Sequence, residues 1–265
     1  MKRSDAPPIP QLAVPVELIQ NMHTFCREKG APPLLATVTD LSTIAFYYLL
    51  RVGEYTRPRY VRRGKRWIRA TRTIQFQLKD IGFFKNGKIL SRESPLIALY
   101  TADGATMKIT NQKNGRMGQV VHQEATGKID CPVRALARRV HHILSNGGQQ
   151  TDLLCTFLSD AGKWDSVTPS NMIEELRSAA TRIDLKSRGI DPDLIGVHSL
   201  RAGGAMALKL HGRSDTAIQK MGRWSSTTFL EYIHTQIGHI SAGLSAAMST
   251  PLPFTNIAAI EPTQN

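Results

Sequence analysis

Cysteine is scarce in this chain of 265 residues, which contains three: Cys26, Cys131 and Cys155. The number is odd and no two of them have the Cys-x-x-Cys spacing, so the sequence offers no disulfide framework. This usage is typical of a protein that folds in a reducing compartment.

Long apolar runs are also missing. No apolar run reaches the length of about eighteen residues that a membrane-spanning helix needs, so no span is predicted. The first residues, MKRSDAPPIPQ, lack the apolar segment of a secretory leader. We therefore expect an intracellular protein, in the nucleus or the cytoplasm, with no membrane partner.

Acidic residues are few compared with basic ones. There are 21 Asp and Glu against 34 Lys and Arg, which gives a net charge of +13 and a pI of about 10.0. Such an excess favours a polyanionic partner, with nucleic acid first and an anionic membrane second. A solvated basic surface without a partner is the alternative. The hydrophobic fraction of 41% is enough for a buried core, so a disordered chain is not expected.

The basic residues are concentrated in residues 57–72, RPRYVRRGKRWIRATR, where Tyr60 and Trp67 are interleaved with them. Because so dense a run of like charge repels itself, we interpret it as a strand or loop that lies along a phosphate backbone. A solvated basic loop is the alternative. The candidate DNA-binding residues are Arg57, Arg59, Arg62, Arg63, Lys65, Arg66 and Arg69.

Three parts are predicted along the chain. Residues 1–34 are a proline-rich N-terminal arm and a short helix at 17–29, interpreted as a remnant or linker. Residues 35–247 form the main domain, and residues 248–265 form an extended C-terminal tail rich in proline and threonine.

Within the main domain, apolar spacing and capping signals predict helices at 37–50, capped by Thr39 or Asp40, and at 129–145, 168–183, 199–210 and 214–222. Between residues 73 and 121, alternating segments such as TIQFQL and ALYTADGATMKIT predict three or four antiparallel strands. Their turns are expected at Asn86-Gly87, Asp103-Gly104 and Asn114-Gly115. The predicted fold class is α+β, a mainly helical domain with a small antiparallel sheet.

The strongest candidate site lies between His198 and Tyr232. His198 and Arg201 are three residues apart, so on a helix they share a face and can bind one anion together. Small residues follow at 202–205 and permit close backbone packing. Tyr232 comes about thirty residues after Arg201 and is a candidate nucleophile toward that anion.

Arg51 is a second candidate anion contact, because the apolar helix of residues 37–50 runs directly into Arg51-Val-Gly-Glu54. In this interpretation a buried frame directs Arg51 at a phosphate, and Glu54 orients the local turn. The alternative is an ordinary surface salt bridge between the two, worth only about 0.3–0.5 kcal/mol. Without the downstream stretch, that alternative is favoured.

A candidate proton donor, Lys113, precedes the turn Asn114-Gly115 at a predicted hairpin tip. A lysine there can reach into a groove and protonate a leaving oxygen. A polar hairpin tip is the commoner explanation of a lone lysine, and Lys108, within the strand, is a weaker alternative.

No metal site or cofactor is expected. His141 and His142 are adjacent and point to different faces of their helix, which makes them a poor pair of ligands. A zinc site built from them with His122 and Cys131 is disfavoured.

Taken together, these motifs resemble those of the tyrosine recombinase or phage-integrase family, over roughly residues 35–240. The matching segments are Arg51-Val-Gly-Glu54, Lys113-Asn-Gly, His198-Ser-Leu-Arg201-Ala-Gly-Gly, and Gly222-Arg223-Trp224 followed by Tyr232. The sequence pattern RWSSxxFLxYI is similar to that of recombinases from eukaryotic mobile elements.

The resemblance implies a site-specific recombinase that cuts and rejoins double-stranded DNA without a metal. In that scheme Tyr232 attacks the scissile phosphate and forms a 3′-phosphotyrosyl link, while Arg51 and Arg201 stabilise the developing charge. The remaining roles would fall to Lys113, which protonates the departing 5′ oxygen, and to His198 and Trp224, which hold the phosphate. Residues 233–248 are apolar enough to dock on a neighbouring subunit, so a multimer on DNA, a tetramer, is expected.

The chain departs from the family pattern in two ways. The family usually places His or Trp directly after the glycine, where this chain has Arg223, and Trp224 stands eight residues before Tyr232. We prefer Trp224 for that role, because an indole N–H can donate to a phosphate oxygen, with Arg223 as the alternative and as a supporting residue beside Glu54. Only about thirty-five residues precede the match, too few for the family's N-terminal helical clamp. A minimal recombinase or a catalytic fragment with a weakened grip on DNA is therefore expected.

Two other functions fit the same residues. One is relaxation of supercoils in the manner of a type IB topoisomerase, which shares the chemistry. The other is a DNA-binding protein of mobile-element origin that has lost catalysis.

Overall fold

The computed structural model describes residues 12–70, 73–109, 118–224, 230 and 248–249. The chain divides into two units, residues 1–235 and residues 236–265, and the description below concerns the first. Within the described ranges, none of the helices combines the length and the apolar character needed to cross a bilayer.

Helices make up most of the regular structure in the described part of this unit. They are α1 (Val16–Lys29), α2 (Pro33–Tyr47), α3 (Val52–Tyr55), α4 (Leu96–Tyr100), α5 (Pro132–Ser145), α6 (Pro169–Arg182), α7 (Ser199–Leu210) and α8 (Asp215–Gly222). Three of them begin on a proline, where the missing N–H needs no partner. Thr168 and Ser214 accept backbone N–H groups and cap α6 and α8. The helices predicted at 17–29, 168–183, 199–210 and 214–222 are confirmed.

The predicted start of α2 was wrong. The helix begins at Pro33, whose fixed φ suits a first helical position, and Thr39 and Asp40 lie inside it rather than capping it. Both are buried. The Thr39 hydroxyl donates to the Leu35 carbonyl at 2.9 Å, and the Asp40 carboxylate pairs with Arg138 of α5 at 2.5 Å.

The strands form three separate antiparallel sheets among the described residues. They are β1 (Tyr60–Arg63), β2 (Arg66–Arg69), β3 (Ile81–Lys85), β4 (Lys88–Leu90), β5 (Gly104–Ile109), β6 (Gln119–Glu124), β7 (Thr156–Leu158) and β8 (Trp164–Ser166). The main sheet has the order β4-β3-β5-β6, and the other two are the hairpins β1-β2 and β7-β8. Asn86 and Gly87 both have positive φ and form the tight turn between β3 and β4. The predicted α+β class with a small antiparallel sheet is confirmed.

Three details of the predicted sheet were wrong. The segment TIQFQL, residues 73–78, is mostly an extended connector whose Phe76 N–H donates to the Glu54 carbonyl at 2.9 Å. Residues 98–100 belong to α4, which follows Pro95. Asp103 and Gly104 do not form a turn, because Gly104 opens β5 and pairs with Phe84. The Asn114-Gly115 turn lies outside the described residues.

Helix α2 lies at the centre of the core. Ten of its residues, 37–46, are buried, and it packs against α1, α5 and α7. The same hydrophobic cluster includes Leu18 of α1, Leu136 of α5 and Phe83 of β3. The boundary predicted between residues 34 and 35 falls inside α2, and α1 packs into this shared core. The division into arm, main domain and tail stays a prediction.

Candidate functional site

The site is built around the end of α2, where Leu49 adopts a left-handed conformation with φ of 49°. That conformation is costly for a residue other than glycine, and here it turns a backbone carbonyl toward two guanidinium groups. The Leu49 carbonyl accepts from Arg201 at 2.5 Å and from Arg223 at 3.1 Å. One backbone oxygen therefore binds arginines that come from two different helical segments.

Arg51 lies two residues after Leu49 and is the N-cap of the short helix α3. The Glu54 carboxylate accepts from the Arg51 backbone N–H at 2.8 Å and from its guanidinium at 3.3 Å. The side chain of Glu54 is 2% exposed and that of Arg51 is 24% exposed. The contact is therefore anchored on a buried carboxylate, unlike a surface salt bridge, while part of the Arg51 side chain stays exposed.

Arg223 reaches the same carboxylate from the end of α8. Its guanidinium donates to the two oxygens of Glu54 at 3.0 and 3.3 Å. Its carbonyl accepts in turn from the Arg51 guanidinium at 3.4 Å. Arg51, Glu54 and Arg223 thus form a closed set of contacts.

Arg201 is placed by helix α7, which lies very close to α2. A Cβ on Gly203 would come within 2.1 Å of the Val14 carbonyl oxygen, and one on Gly204 within 2.2 Å of that of Phe46. Only glycine permits this approach, which sets Arg201 beside the end of α2. Arg201 is buried at 3% exposure.

The Arg201 guanidinium also contacts the turn after α8. It donates to the Gly222 carbonyl and lies 4.1 Å from the centre of the Trp224 ring. A Cβ on Gly222 would come within 1.5 Å of that ring, so this glycine is needed for the indole to fold back over the helix end. The Trp224 ring therefore lies against the Arg201 guanidinium and restricts its orientation.

His198 stands at the start of α7, exposed at the surface beside these arginines. Partial desolvation, together with the positive charges of Arg201 and Arg51, lowers its pKa below the usual value. The imidazole is therefore neutral at neutral pH and can both donate and accept a hydrogen bond. His198 precedes Arg201 by three residues at the start of the same helix.

We call this set the arginine frame: Arg51, Glu54, Arg201, Arg223 and the carbonyl of Leu49. It concentrates guanidinium groups at one end of α2, and those of Arg51 and Arg223 contact the buried carboxylate of Glu54. Such an arrangement is suited to binding and polarising an anion with tetrahedral oxygens, such as a phosphate diester.

Solved structures that resemble this chain include two recombinases. The XerH site-specific recombinase, bound to its palindromic difH substrate in a post-cleavage complex, matches with a TM-score of 0.52 and 14% identity over 90% of this chain. The XerA recombinase matches with a TM-score of 0.50 and 14% identity over 95% of this chain. The chain has the tyrosine recombinase fold.

At this level of identity the likeness to tyrosine recombinases shows the fold alone. The chain spans 54% of the XerH chain and 68% of the XerA chain. No protein-family model matches the sequence, and no curated protein matches it.

Most of the residues that the tyrosine recombinase motifs pointed to lie together. The structure gathers Arg51, Glu54, His198, Arg201, Arg223 and Trp224 at one end of α2. Lys113 and Tyr232 lie outside the described residues. Lys108 is exposed on β5. The roles of all these residues stay predictions.

Sequence reasoning missed Leu49, whose side chain carries no chemical signal. It was expected to be the last turn of a helix, yet its carbonyl is an acceptor shared by two arginines. Proximity to the Arg51 motif was the only available hint, because a left-handed leucine cannot be inferred from its neighbours.

The basic run forms the hairpin β1-β2, which stands out from the core. Every residue of the hairpin except Val61 is exposed, including Trp67 at 69% and Tyr60 at 49%. Tyr60 pairs with Arg69 and Arg62 pairs with Trp67, so one face of the hairpin carries both aromatics and two arginines. Outside the hairpin, Arg57 contacts Asp165 at 3.5 Å and Arg59 is exposed.

His142, one of the histidines considered as a zinc ligand, makes structural contacts instead. His142 accepts from the Leu158 N–H at 3.1 Å and packs edge-on against Trp164, which attaches the hairpin β7-β8 to α5. In the part of the chain that the structure describes, no cluster of three His, Cys, Asp or Glu side chains could hold a metal ion.

Proposed function

We propose that this protein is a tyrosine-type site-specific recombinase, which cuts and rejoins double-stranded DNA through a 3′-phosphotyrosyl intermediate. The observation that carries the proposal is the arginine frame. Arg51 and Arg201 come from distant parts of the sequence, and both contact carbonyls of the turn at Gly222 and Arg223. That turn precedes Tyr232 by nine residues.

The proposed reaction begins when the phenolate oxygen of Tyr232 attacks the scissile phosphorus. A new bond forms between that oxygen and phosphorus, and the bond to the 5′ oxygen breaks. Lys113 gives its proton to the departing 5′ oxygen, which leaves as a hydroxyl. Because the phosphotyrosyl ester retains the energy of the phosphodiester, the reverse attack by a 5′-hydroxyl rejoins DNA without ATP.

Arg51 and Arg201 supply the charge that this transition state needs. Negative charge builds on the two non-bridging oxygens, and guanidiniums held in advance by buried acceptors need no reorganisation when it does. Removal of one such donor typically slows a reaction by about 100- to 1000-fold.

His198 and Trp224 complete the proposed phosphate site. A neutral imidazole next to the two arginines can accept the phenol proton or donate to a phosphate oxygen. Trp224 keeps the Arg201 guanidinium in place through their stacked contact, and its indole N–H is proposed to donate to the phosphate.

The hairpin β1-β2 is proposed to bind the DNA backbone outside the scissile site. Its exposed arginines and the net charge of +13 support this, and the face bearing Tyr60, Arg62, Trp67 and Arg69 combines aromatic surface with phosphate donors. The other candidate contacts in this region are Arg57, Arg59, Arg63, Lys65 and Arg66.

We further propose assembly as a tetramer on DNA. Residues 233–248, which lie almost entirely outside the described ranges, are proposed to dock on a neighbouring subunit. Cross-linking of the complex formed on cleaved DNA should give a tetramer, and a monomer alone would contradict the assembly.

A suicide duplex tests the proposed activity. The substrate carries a nick close to the scissile phosphate, so that the short fragment with the freed 5′-hydroxyl diffuses away and religation stops. The wild-type chain should form a covalent protein–DNA adduct that is absent with Tyr232→Phe.

Two other outcomes distinguish the competing functions. Salt-sensitive DNA binding without any adduct would identify a DNA-binding protein that has lost catalysis. Relaxation of a supercoiled plasmid without recombinant products would identify activity of the type IB topoisomerase kind.

A further inference from the structure

We propose that Arg223 is a positioning residue, which keeps Arg51 available to the phosphate by neutralising Glu54 and does not itself contact DNA. This inference rests on the proposed function. It assigns distinct tasks to the two adjacent residues Arg223 and Trp224 at the point where the chain departs from the family pattern.

The contacts of Arg223 favour a positioning role over a direct contact with DNA, because the buried carboxylate of Glu54 already balances its charge. Its side chain is 1% exposed and its guanidinium donates to interior acceptors, both oxygens of Glu54 and the carbonyl of Leu49. Trp224, the next residue, lies on the Arg201 guanidinium instead.

The backbone of Arg223 supports a positioning role. Arg223 has φ of 59° and ψ of 38°, the left-handed region that a non-glycine residue adopts only at a cost. This conformation sends the side chain inward to Glu54 and leaves the carbonyl facing the Arg51 guanidinium. The residue therefore connects to Arg51 twice, once through Glu54 and once directly.

The charge balance gives the direction of the effect. Arg51 and Arg223 both contact the carboxylate of Glu54, and it is buried. Without Arg223, the whole negative charge of Glu54 would act on Arg51. That attraction would draw the Arg51 guanidinium inward and reduce the part that is exposed toward a substrate.

Arg223 also connects Arg51 to Arg201. The Leu49 carbonyl accepts from Arg201 and Arg223 together, so movement of Arg223 changes the surroundings of both phosphate-binding arginines. A displacement of about 1 Å in a reacting group can cost about 100-fold in rate. We expect a loss of this size when Arg223 is replaced.

The test is the single-turnover rate of adduct formation on the suicide duplex, compared across Arg223→Gln, Arg51→Ala and their combination. If Arg223 acts through Arg51, Arg223→Gln alone slows the reaction by about 100-fold. In the Arg51→Ala background the same change then adds little. If Arg223 bound the phosphate itself or only held the fold together, the two losses would multiply.

A second comparison uses the carboxylate. Neutralising it in the double variant Glu54→Gln/Arg223→Gln should recover part of the rate lost in Arg223→Gln, because the charge that withdraws Arg51 is gone. A general folding defect would become worse in the double variant. Arg188→Gln, at an exposed arginine whose one ion pair to Glu17 is 3.9 Å long, is the matched control and should leave the rate unchanged.

Folding is checked by thermal unfolding of each variant. If Arg223→Gln does not fold, Arg223→Lys replaces it, since lysine keeps the charge beside Glu54 but not the two-pronged contact. The lysine variant should then be slower than wild type only while Arg51 is present. If the wild-type chain forms an adduct but the rate losses of the Arg223 and Arg51 variants multiply in the double variant, only the positioning role of Arg223 is overturned. Absence of an adduct from the wild-type chain overturns the proposed function and, with it, this role.

Discussion

Replacement of Glu54 by glutamine keeps the shape of the side chain but removes the charge that two arginines share. Glu54 is 2% exposed and accepts from Arg223 at 3.0 Å and from Arg51 at 2.8 and 3.3 Å. In Glu54→Gln the guanidinium of Arg223 stays buried without a counter-charge. Loss of one partner of such a buried pair costs about 3–5 kcal/mol in the free energy of unfolding. We expect the lower end, because the glutamine oxygen can still accept from the Arg51 N–H.

Urea unfolding of the full chain, followed by circular dichroism, measures this loss. The matched control is Asp165→Asn, which breaks the ion pair between Arg57 and Asp165. Both side chains of that pair are more than half exposed, so the control should lose about 0–1 kcal/mol, and less at high salt. If Glu54→Gln loses no more than Asp165→Asn, the buried carboxylate does not hold the arginine frame together, and the reasoning is refuted.

Three further predictions concern packing, pH and DNA binding. Gly204→Ala should lower the free energy of unfolding by about 1–3 kcal/mol and slow adduct formation, because its Cβ would meet the Phe46 carbonyl oxygen at 2.2 Å and displace α7 with its arginine. Burial lowers the pKa of His23 to about 4, so the native state resists protonation that the unfolded chain accepts near pH 6.5. The free energy of unfolding should therefore fall as the pH drops from 6.5 to 4. Urea titrations at each pH should show a fall about 3 kcal/mol larger in wild type than in His23→Gln. The double variant Arg62→Gln/Arg66→Gln should bind DNA with a shallower slope of log affinity against log salt concentration, measured by fluorescence anisotropy. The slope should decrease by about 0.9 for each phosphate that the two arginines neutralise in the wild-type complex.

Each of these changes has a control in the chain. Gly53→Ala places its Cβ no closer than 3.8 Å to Thr73 and should change stability by no more than about 0.5 kcal/mol. His211→Gln alters an exposed histidine and is the control for His23→Gln. Arg188→Gln should keep the salt slope, since it removes an exposed arginine outside the hairpin. Equal effects in a variant and its control would contradict the corresponding prediction.

Local chemistry made much of the helical part predictable. Capping by Thr168, the stop at Gly30 and the apolar spacing of α7 can be read from neighbouring residues, and the structure agrees with them. The start of α2 was predicted too late, because Thr39 or Asp40 was expected to cap it, whereas Pro33 occupies the first position of the helix.

The strands were harder to place because alternation does not specify a partner. Residues 73–78 alternate like a strand, yet the backbone of Phe76 bonds to the carbonyl of Glu54 in α3 and to the N–H of Leu154 in a loop. Such pairings depend on segments distant in the sequence, which period-two spacing does not encode.

The site was predictable in its residue types but not in its internal arrangement. Spacing and charge indicated Arg51 and Arg201, which the structure brings to one end of α2. The inward direction of Arg223 and the acceptor role of Leu49 both follow from left-handed backbone conformations. Those conformations are stable only when tertiary contacts compensate their cost, so no local pattern reveals them.

The central claim is that Tyr232 becomes covalently attached to DNA at a phosphate held by the arginine frame. The most direct measurement is mass spectrometry of the adduct from the suicide duplex, after nuclease digestion to a single nucleotide and proteolysis of the chain. The account predicts one modified peptide, with a 3′-phosphonucleotide on Tyr232. A nucleotide on any other residue, or a chain that binds the duplex and carries no nucleotide, would contradict it.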